Sequence, residues 1–315
     1  MAFRQITIIG VGLIGGSFGL AARAAGFRGP IVGCGREPTL AQALRLGAID
    51  RGYADPVEAA AGSDLILLAT PVGAIIDLLQ KASVFPREAL ITDAGSTKQA
   101  IVDRARAVFG EEVAARFLPG HPMAGKELSG IGQAEAGLFR GTVWLITPLS
   151  GATTEASSGF AVHPAARAAA ERQREFLELV GAMGARVVEI ELEKHDRLCA
   201  WISHLPQMIA TALAGSLEEE FGNDPELHAI GGRALREMTR IASSPYSMWR
   251  DIALTNTGYI QEALLQLAQH LAHIRENLRT RELALEFERA QQFRSQIQGS
   301  LPSFEQDSAP PRKSK

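Results

Sequence analysis

Residues 6–15 read ITIIGVGLIG, and this segment decides the fold class. Its first four residues are all β-branched, which is typical of a buried strand. Gly10, Gly12 and Gly15 then make a G-x-G-x-x-G motif that leads into a helix-compatible run ending at Gly26. The first glycine permits a tight turn, the second lets backbone approach a pyrophosphate, and the third lets helix pack on strand. The segment predicts a Rossmann-type dinucleotide-binding domain.

Strand-like and helical segments alternate through the first half of the chain, which is typical of a parallel sheet covered by helices. The further strand-like runs are 31–34, 65–70, 89–92, 116–119 and 142–147. A Gly/Ser/Thr/Ala-rich connector runs from Gly151 to Pro164, and the sequence beyond it is helical except for a candidate strand at 185–190. We therefore expect an α/β chain with a Rossmann-type domain at 1–163, an all-helical domain at 164–295 and a disordered tail at 296–315.

Charge and composition limit the partners of this protein. The 315 residues include 32 basic and 35 acidic ones, so the net charge is −3, and the two signs are well mixed. This balance argues against binding to nucleic acid or to an anionic membrane surface, and no stretch looks able to span a bilayer. Cys34 and Cys199 are too few for a disulfide framework, and the seven histidines lack metal-ligand spacing. We expect a soluble cytoplasmic protein without a metal site.

One histidine has a rigid local setting, in the segment G-H-P-M-A-G at 120–125. Pro122 biases the residue before it away from helix, so we expect His121 in extended geometry at a strand end. Such positions are where α/β enzymes present catalytic groups. An imidazole with its ordinary pKa of about 6.5 accepts a proton at neutral pH. His121 is thus a candidate general base, although a structural histidine in a turn fits the same pattern.

The end of the second strand indicates which dinucleotide is preferred. In NAD-binding domains this strand normally ends in an acidic residue that binds the adenosine ribose. Here Gly35-Arg36-Glu37 follows the strand, and a guanidinium beside an open glycine suits the 2′-phosphate of NADP. We favour NADP over NAD, the alternative being that Arg36 is solvated and Glu37 binds the ribose. The expected cofactor contacts are Gly10, Gly12, Leu13, Ile14, Gly15, Gly35, Arg36, Thr70 and Pro71.

Apolar residues recur with a strict 4-3-4-3-4 spacing near the end of the helical region. Such a regular seam is typical of a helix that packs against another helix, either in a dimer interface or in the core of a helical domain. The seam consists of Ile260, Leu264, Leu267, Leu271, Ile274 and Leu278.

Four more motifs, together with the two above, make the chain resemble the prephenate/arogenate dehydrogenase family of tyrosine biosynthesis. They are D-A-G-S-T-K at 93–98, S-H-L-P-Q at 203–207, G-G at 231–232 followed by T-R-I-A-S-S at 239–244, and M-W-R-D at 248–251. The resemblance covers about residues 6–278, with the motifs in the family's order. It implies oxidative decarboxylation of prephenate to 4-hydroxyphenylpyruvate, or of arogenate to tyrosine, with hydride transfer to NAD(P)+. It also implies a homodimer formed through the helical domain.

The resemblance assigns roles to three residues. His121 would hydrogen-bond the ring hydroxyl of the substrate and accept its proton. Ser96 would position His121, the substrate hydroxyl or the nicotinamide, and capping the helix after it is an alternative or additional role. Arg240 matches the arginine that binds the substrate carboxylate, for which a guanidinium is chemically well suited.

The S-H-L-P-Q motif and one neighbouring lysine supply the remaining implied substrate contacts. Ser203 and His204 lie beside Pro206, which bends the helix and leaves polar groups for a ligand, although His204 also fits a core histidine bonded to a carbonyl. Gln207 stands where the family often has a second histidine thought to contact the side-chain end of the substrate. The sequence is therefore compatible with either prephenate or arogenate as the substrate. Lys126 is another departure from the family, and it would either bind a carboxylate or phosphate or point to solvent.

Two other functions are compatible with parts of the sequence. A two-domain reductase of the β-hydroxyacid or ketopantoate kind shares the opening fold but depends on a lysine in a G-x-x-x-K helix, where this chain offers His204. A non-catalytic NADP-binding sensor would keep the glycine motif but does not need His121, Ser96 and Arg240 together. We therefore predict the dehydrogenase.

Overall fold

The computed structural model describes residues 3–126, 128–149 and 164–298. The expected connector lies outside these ranges except for Pro164, with which a helix begins. The expected tail lies outside them except for residues 296–298. These three residues still belong to the last helix, so the helix continues past the predicted start of the tail at 296.

Six parallel strands form the main sheet of the protein. They are β1 (Ile6–Ile9), β2 (Ile31–Cys34), β3 (Arg51–Tyr53), β4 (Leu65–Leu68), β5 (Leu90–Asp93) and β6 (Phe117–Leu118). Their order in the sheet is β3-β2-β1-β4-β5-β6, which is the order of a Rossmann fold and confirms the predicted fold class. Strands β1 and β4 are buried along their whole length, because helices cover both faces of the sheet.

Two apolar clusters fill the space between this sheet and its helices. The helices are α1 (Leu13–Ala24), α2 (Glu37–Arg45), α3 (Pro56–Ala60), α4 (Val72–Lys81), α5 (Gln99–Phe109) and α6 (Val113–Arg116). Helices α1 and α2 contribute Phe18 and Leu40 to the cluster on one face. Helices α4 and α5 contribute Ile75 and Ile101 to the cluster on the other face. Burial on both faces explains why the central strands read as continuous apolar runs.

A second, three-stranded sheet follows the first along the chain. It contains β7 (Gly120–Pro122), β8 (Val143–Ile146) and β9 (Arg186–Glu189), with β7 antiparallel and β9 parallel to β8. The prediction that the run 142–147 joins the main parallel sheet was therefore wrong. Pro119 separates β6 from β7, so the chain leaves the first sheet there, and Thr147 N donates to Pro119 O at 3.0 Å.

Helix α7 (Pro164–Ala182) packs with this second sheet. Its Phe176 lies against the buried Trp144 of β8, with ring centroids 5.9 Å apart. Because β9 pairs with β8 and α7 packs on it, residues 164–189 associate with the Rossmann elements. The predicted boundary at 164 places these residues in the helical domain, whereas the uninterrupted helical sequence begins only at Leu192.

The helical region contains α8 (Leu192–Cys199), α9 (Leu205–Phe221), α10 (Pro225–Ile230), α11 (Arg233–Thr239) and α12 (Tyr246–Thr255). Residues 200–204 form one π-helical turn that joins α8 to α9, with Pro206 at the start of α9. This is the helix interruption that the proline predicted. Among the described residues, no helix combines the length and apolar character needed to cross a bilayer.

The chain divides into two compact units, one up to Ile260 and one from Gln261 onward. In the second unit the later part of α13 (Thr257–Glu276) and α14 (Arg281–Gln298) are joined by a short turn. His270 Nε2 on α13 lies 3.0 Å from Glu286 Oε2 on α14. Since α13 ends at Glu276, the last residue of the expected seam, Leu278, lies beyond the helix.

Candidate active site

The carboxyl ends of the main strands bring several predicted site residues to one edge of the sheet. Ile9 is in register with Cys34 and Leu68, and Leu68 is in register with Asp93. The glycine loop, Gly35-Arg36, Thr70-Pro71 and the segment with Ser96 all follow these aligned strand ends. In open α/β sheets ligands bind at this edge.

The loop between β1 and α1 fits a dinucleotide. Gly10 has a φ of +99° and lies so close to the β4 loop that a Cβ there would be 2.7 Å from the carbonyl carbon of Ala69. Around Gly12, in contrast, an added Cβ would meet nothing within 4 Å. The first turn of α1 has no side-chain cap, so its N–H groups suit a pyrophosphate. Thr70 Oγ1 is buried and has no hydrogen-bond partner among the described residues.

Arg36 lies just before α2, and its side chain is exposed. Glu37 is the first residue of that helix. Gly35 is open, since the nearest atom to an added Cβ is a Leu40 methyl at 3.9 Å. Both groups considered for ribose recognition therefore lie at the tip of the second strand.

His121 occupies the middle of β7, in the extended geometry that Pro122 predicts. It pairs with Leu145 of β8 and is 7% exposed. Strand β7 abuts the end of β5, because Gly120 N donates to Asp93 Oδ1 at 3.1 Å. The imidazole is thereby fixed at the carboxyl edge of the Rossmann sheet.

The ring of His121 is hydrogen-bonded to His195 of α8, which is in turn hydrogen-bonded to Asp196, and sequence reasoning missed both of these residues. His121 Nδ1 lies 2.9 Å from His195 Nε2, and His195 Nδ1 lies 2.8 Å from Asp196 Oδ1. All three side chains are buried. A histidine, a second histidine and a carboxylate thus form one hydrogen-bonded chain.

Asp196 also binds the first amides at the start of α5. It accepts from Lys98 N at 2.7 Å and from Gln99 N at 2.9 Å. A carboxylate at a helix N-terminus is favourable because it satisfies open N–H groups and opposes the helix dipole. The cap of α5 is therefore Asp196, and the alternative that Ser96 caps this helix was wrong. Ser96 is half-buried in the loop between Asp93 and α5.

Lys98 and Asp93 form a fully buried ion pair beneath the loop that carries Ser96. Asp93 accepts a further hydrogen bond from Gly95 N at 2.8 Å. The motif D-A-G-S-T-K is thus folded around the charge pair formed by its own two ends. This arrangement fixes the backbone on both sides of Ser96.

Burial controls the protonation of these histidines. It lowers the pKa of His121 well below the ordinary value, and the nearby His195 and Lys98 lower that pKa further. Burial also lowers the pKa of His195, although the hydrogen bond to Asp196 raises it in part. For Asp196, burial by itself raises the pKa, but the bonds from His195 and the two amides hold it below its ordinary value. At neutral pH the hydrogen-bonded chain therefore consists of two neutral imidazoles followed by one carboxylate.

Cys199 completes the surroundings of the two histidines. Its Sγ lies 3.9 Å from His121 Nδ1 and 3.7 Å from His195 Nε2, a grouping of atoms that can hold a metal ion. The two nitrogens are, however, hydrogen-bonded to each other, and burial raises the pKa of the thiol to about 12. Metal binding requires a thiolate, so this geometry favours the hydrogen-bonded chain.

His204, at the end of the π-helical turn, is held by Asn256. The Asn256 amide donates to Asp196 O at 2.9 Å and to His204 Nδ1 at 3.1 Å. Burial lowers the pKa of His204 to about 4, so its ring is neutral and carries its proton on Nε2. That atom is buried and has no hydrogen-bond partner among the described residues. His204 therefore does not bond a carbonyl through either nitrogen in the part of the chain that is described.

The other predicted substrate contacts lie on several elements. Gln207 is buried on α9 and donates to Thr211 Oγ1 at 3.2 Å, while Ser203 is half-buried in the π-helical turn. Arg240 is exposed at the start of a 3-10 turn after α11, and this turn packs against α9. Lys126 follows β7 and pairs with Glu135 Oε2 at 3.0 Å.

The residues that sequence reasoning missed had a local signal. His195 and Asp196 form an H-D pair near the start of α8, and Cys199 follows one helical turn after His195. An H-x-x-x-C spacing on a helix places both side chains on one face. This spacing differs from the paired-histidine spacings that indicate metal sites, so the sequence pattern by itself assigns no role to these residues.

The fold and the site define a dinucleotide-binding protein of the Rossmann class with a helical region at the open edge of its sheet. A family model for the nucleotide-binding domain of prephenate dehydrogenase matches residues 18–158, and one for the dimerization domain of prephenate dehydrogenase matches residues 191–292. The chain belongs to the prephenate dehydrogenase family.

Individual relatives agree with this assignment. The chain is 30% identical to prephenate dehydrogenase of Lactococcus lactis subsp. cremoris (strain MG1363), over 96% of this chain and 80% of that one. It is 31% identical to prephenate dehydrogenase of Bacillus subtilis (strain 168), over 95% of this chain and 78% of that one. The crystal structure of A. aeolicus prephenate dehydrogenase with hydroxyphenyl propionate and NAD+ matches with a TM-score of 0.81 at 28% identity, covering 94% of this chain and 99% of that one.

Two alanine substitutions should separate the folding and binding roles of the glycine loop. In Gly15→Ala the new Cβ would lie 2.1 Å from Gly10 O, so we expect a loss of about 1–3 kcal/mol in the free energy of unfolding. Gly12→Ala has open space, so it should keep wild-type stability but raise the cofactor Kd roughly tenfold or more, about 1.4 kcal/mol. Chemical denaturation and calorimetric titration measure the two effects. Wild-type cofactor affinity in Gly12→Ala would contradict the assignment of this loop.

Proposed function

We propose that this protein catalyses the oxidative decarboxylation of prephenate or arogenate, with hydride transfer to a nicotinamide dinucleotide, in tyrosine biosynthesis. One observation carries the proposal: a buried, neutral His121 lies at the carboxyl edge of a Rossmann sheet in a chain of this family. The substrate supplies most of the driving force, because loss of CO2 makes its ring aromatic. The protein must align the reactants and accept and return one proton.

His121 is the proposed proton acceptor. Its Nδ1 is bonded to His195, which leaves Nε2 for the ring hydroxyl. A bound nicotinamide supplies the hydride acceptor. The hydroxyl proton passes to His121 as the ring carbonyl develops and returns to the oxygen once CO2 has left, since the phenol product keeps that proton.

The neighbouring residues bind and orient the substrate in this proposal. His204 offers a buried Nε2–H donor, and with Ser203 and Gln207 it would hold the side-chain end of the substrate. Arg240 would bind a carboxylate, and Ser96 would position the hydroxyl or His121. For Lys126 to bind substrate, its ion pair with Glu135 would have to open.

NADP is the proposed preferred cofactor. The support is the exposed Arg36 beside an open Gly35 at the end of β2. A guanidinium forms charge-assisted hydrogen bonds to a 2′-phosphate, whereas Glu37 would repel it. The A. aeolicus structure contains NAD+, so NAD is the alternative to be compared.

A homodimer through the helical region is the proposed assembly. The matching family model is that of a dimerization domain. In the second compact unit several large apolar side chains are exposed, including Leu271 at 56% and Phe293 at 63%. Large exposed apolar side chains are what a subunit interface would cover, and together with the family model they support this assembly.

The activity is tested by mixing the purified protein with prephenate or arogenate and with NADP or NAD. We expect the absorbance of reduced nicotinamide to rise, and His121→Asn should lower kcat by roughly 10²–10⁴-fold. Because burial lowers the pKa of His121, the wild type should lose kcat/KM only as the pH falls well below 6.5. Normal turnover by His121→Asn, with cofactor affinity intact, would rule out this histidine as the proton acceptor.

The cofactor preference is tested by two variants at the tip of β2. Arg36→Ala should raise the KM for NADP roughly tenfold or more, the effect of one lost charge-assisted hydrogen bond, and leave the KM for NAD nearly unchanged. Glu37→Gln is the matched control, and it should weaken NAD only if Glu37 binds the ribose. Equal effects of Arg36→Ala on both cofactors would refute the proposed preference.

The assembly is tested by size-exclusion chromatography with light scattering. The wild type should have twice the 33.7 kDa mass of one chain. Leu271→Asp places a charge on the exposed apolar surface and should shift the protein towards the monomer, whereas Leu271→Met keeps that surface apolar and should remain dimeric. A wild type that elutes as a monomer at micromolar concentration would overturn the proposal.

A further inference from the structure

The hydrogen bond on His121 continues through His195 to the carboxylate of Asp196. The two links measure 2.9 Å and 2.8 Å, and each joins one ring nitrogen to the next group. All three side chains are buried, so water does not compete for these bonds. In such a chain the group at one end decides which nitrogen carries the proton at the other end.

Asp196 is the end of this hydrogen-bonded chain that determines which nitrogens carry protons. Besides His195 Nδ1, its two oxygens accept N–H groups from Lys98 and Gln99. An ionised carboxylate can only accept hydrogen bonds. The proton between the two groups is therefore on His195 Nδ1.

We propose that Asp196 and His195 are positioning residues that fix the tautomer of His121 so that its Nε2 can accept the substrate proton. This inference rests on the proposed function of His121. With its proton on Nδ1, neutral His195 presents Nε2 as an acceptor. His121 must then carry its own proton on Nδ1, which leaves a lone pair on Nε2.

The reverse arrangement requires a second proton on His195. If His195 Nε2 were the donor, both nitrogens of that ring would carry protons, since Nδ1 donates to Asp196. Burial and the neighbouring Lys98 ammonium oppose this positive charge, and Asp196 and Asp93 offset them only in part. When His195 is neutral, only one direction of hydrogen bonding is possible. His121 Nδ1 donates to His195 Nε2, and His195 Nδ1 donates to Asp196.

The charged groups around this hydrogen-bonded chain balance the positive charge that forms on His121 during the reaction. The O–H bond of the substrate breaks and an N–H bond forms at His121 Nε2, and no other proton needs to move. At rest Lys98, Asp93 and Asp196 carry one net negative charge, so an imidazolium at His121 makes the cluster neutral. When the phenol oxygen takes the proton back, the resting tautomer is restored.

Asp196→Asn tests the donor-to-acceptor direction of the hydrogen bonds from His121 to Asp196. The new amide can donate to His195 Nδ1, which reverses both tautomers and puts a proton on His121 Nε2. We expect kcat to fall by roughly 10²–10⁴-fold, with the KM of the substrate and the Kd of NADP unchanged. In 15N NMR of histidine-labelled protein, His121 should have a protonated Nδ1 in the wild type and a protonated Nε2 in the variant.

His195→Phe distinguishes the role of the hydrogen-bonded chain from the role of Asp196 as the cap of α5. It removes the acceptor for His121 but leaves Asp196 on the Lys98 and Gln99 amides, so it tests the proposal even if Asp196→Asn does not fold. We expect kcat to fall by roughly tenfold or more, and His121 should become a mixture of tautomers. Cys199→Ala is the matched control on the same face of α8, and it should keep the wild-type kcat and NMR pattern.

The outcomes distinguish this inference from the proposed function. If His121→Asn is inactive but both Asp196→Asn and His195→Phe keep the wild-type kcat and the His121 tautomer, the positioning role is wrong and His121 remains the base. If His121→Asn is fully active, the proposed proton acceptor is wrong and the inference fails with it. Loss of substrate affinity without loss of kcat would show that Asp196 and His195 only support the fold.

Discussion

The carboxylate of Asp196 is the interaction on which the rest of this site depends. It lies on α8 of the helical region but binds the first amides of α5, a helix of the Rossmann sheet. A second carboxylate repeats the device, since Asp251 of α12 accepts from Gly73 N in the first turn of α4 at 3.0 Å. Both helices follow strands at the open edge of the sheet, and each lacks a side-chain cap at its own N-cap residue. The helical region is therefore fixed by charges placed on helix ends, while the uncapped α1 stays open for an anion.

The sequence G-H-P places His121 against this arrangement, and each of its residues has a separate physical reason. An added Cβ at Gly120 would lie 2.8 Å from Asp93 O and 2.9 Å from Trp144 Nε1, so only glycine lets β7 approach the end of β5. Pro122 keeps the histidine extended. The ring then meets α8 directly, which explains how a strand of the second sheet contributes the central side chain to a site built at the edge of the first.

Local signals in the sequence predicted the fold, whereas the pairing between distant segments lay beyond them. The β-branched run 6–9, the glycine motif and the apolar run at 65–68 each report buried parallel strands by themselves. The run 142–147 gave the same local signal, yet β8 pairs with β7 and β9, because Pro119 had already taken the chain out of the first sheet. His121 can be predicted from the sequence because its two helix-breaking neighbours mark it locally. The H-x-x-x-C spacing marks one face of α8, but His195 and Asp196 act on residues 74 and 98 positions away, respectively, and a local spacing does not identify such distant partners.

The buried charges at this edge cost folding free energy, so their presence needs a reason other than stability. Taking an ion out of water costs several kcal/mol even after relaxation, and pairing it offsets that cost with little net gain. Lys98 and Asp93 are nevertheless fully buried, and Asp196 nearly so. An apolar core would fold equally well but could not orient backbone amides. Asp93 holds the amides of Gly95 and Gly120, and Asp196 holds those that begin α5, so the loop with Ser96 and the strand with His121 are oriented by the same charges. A site that is rigid before the substrate binds needs no reorganisation when the proton moves, which is the condition under which fixed dipoles and charges lower a barrier most.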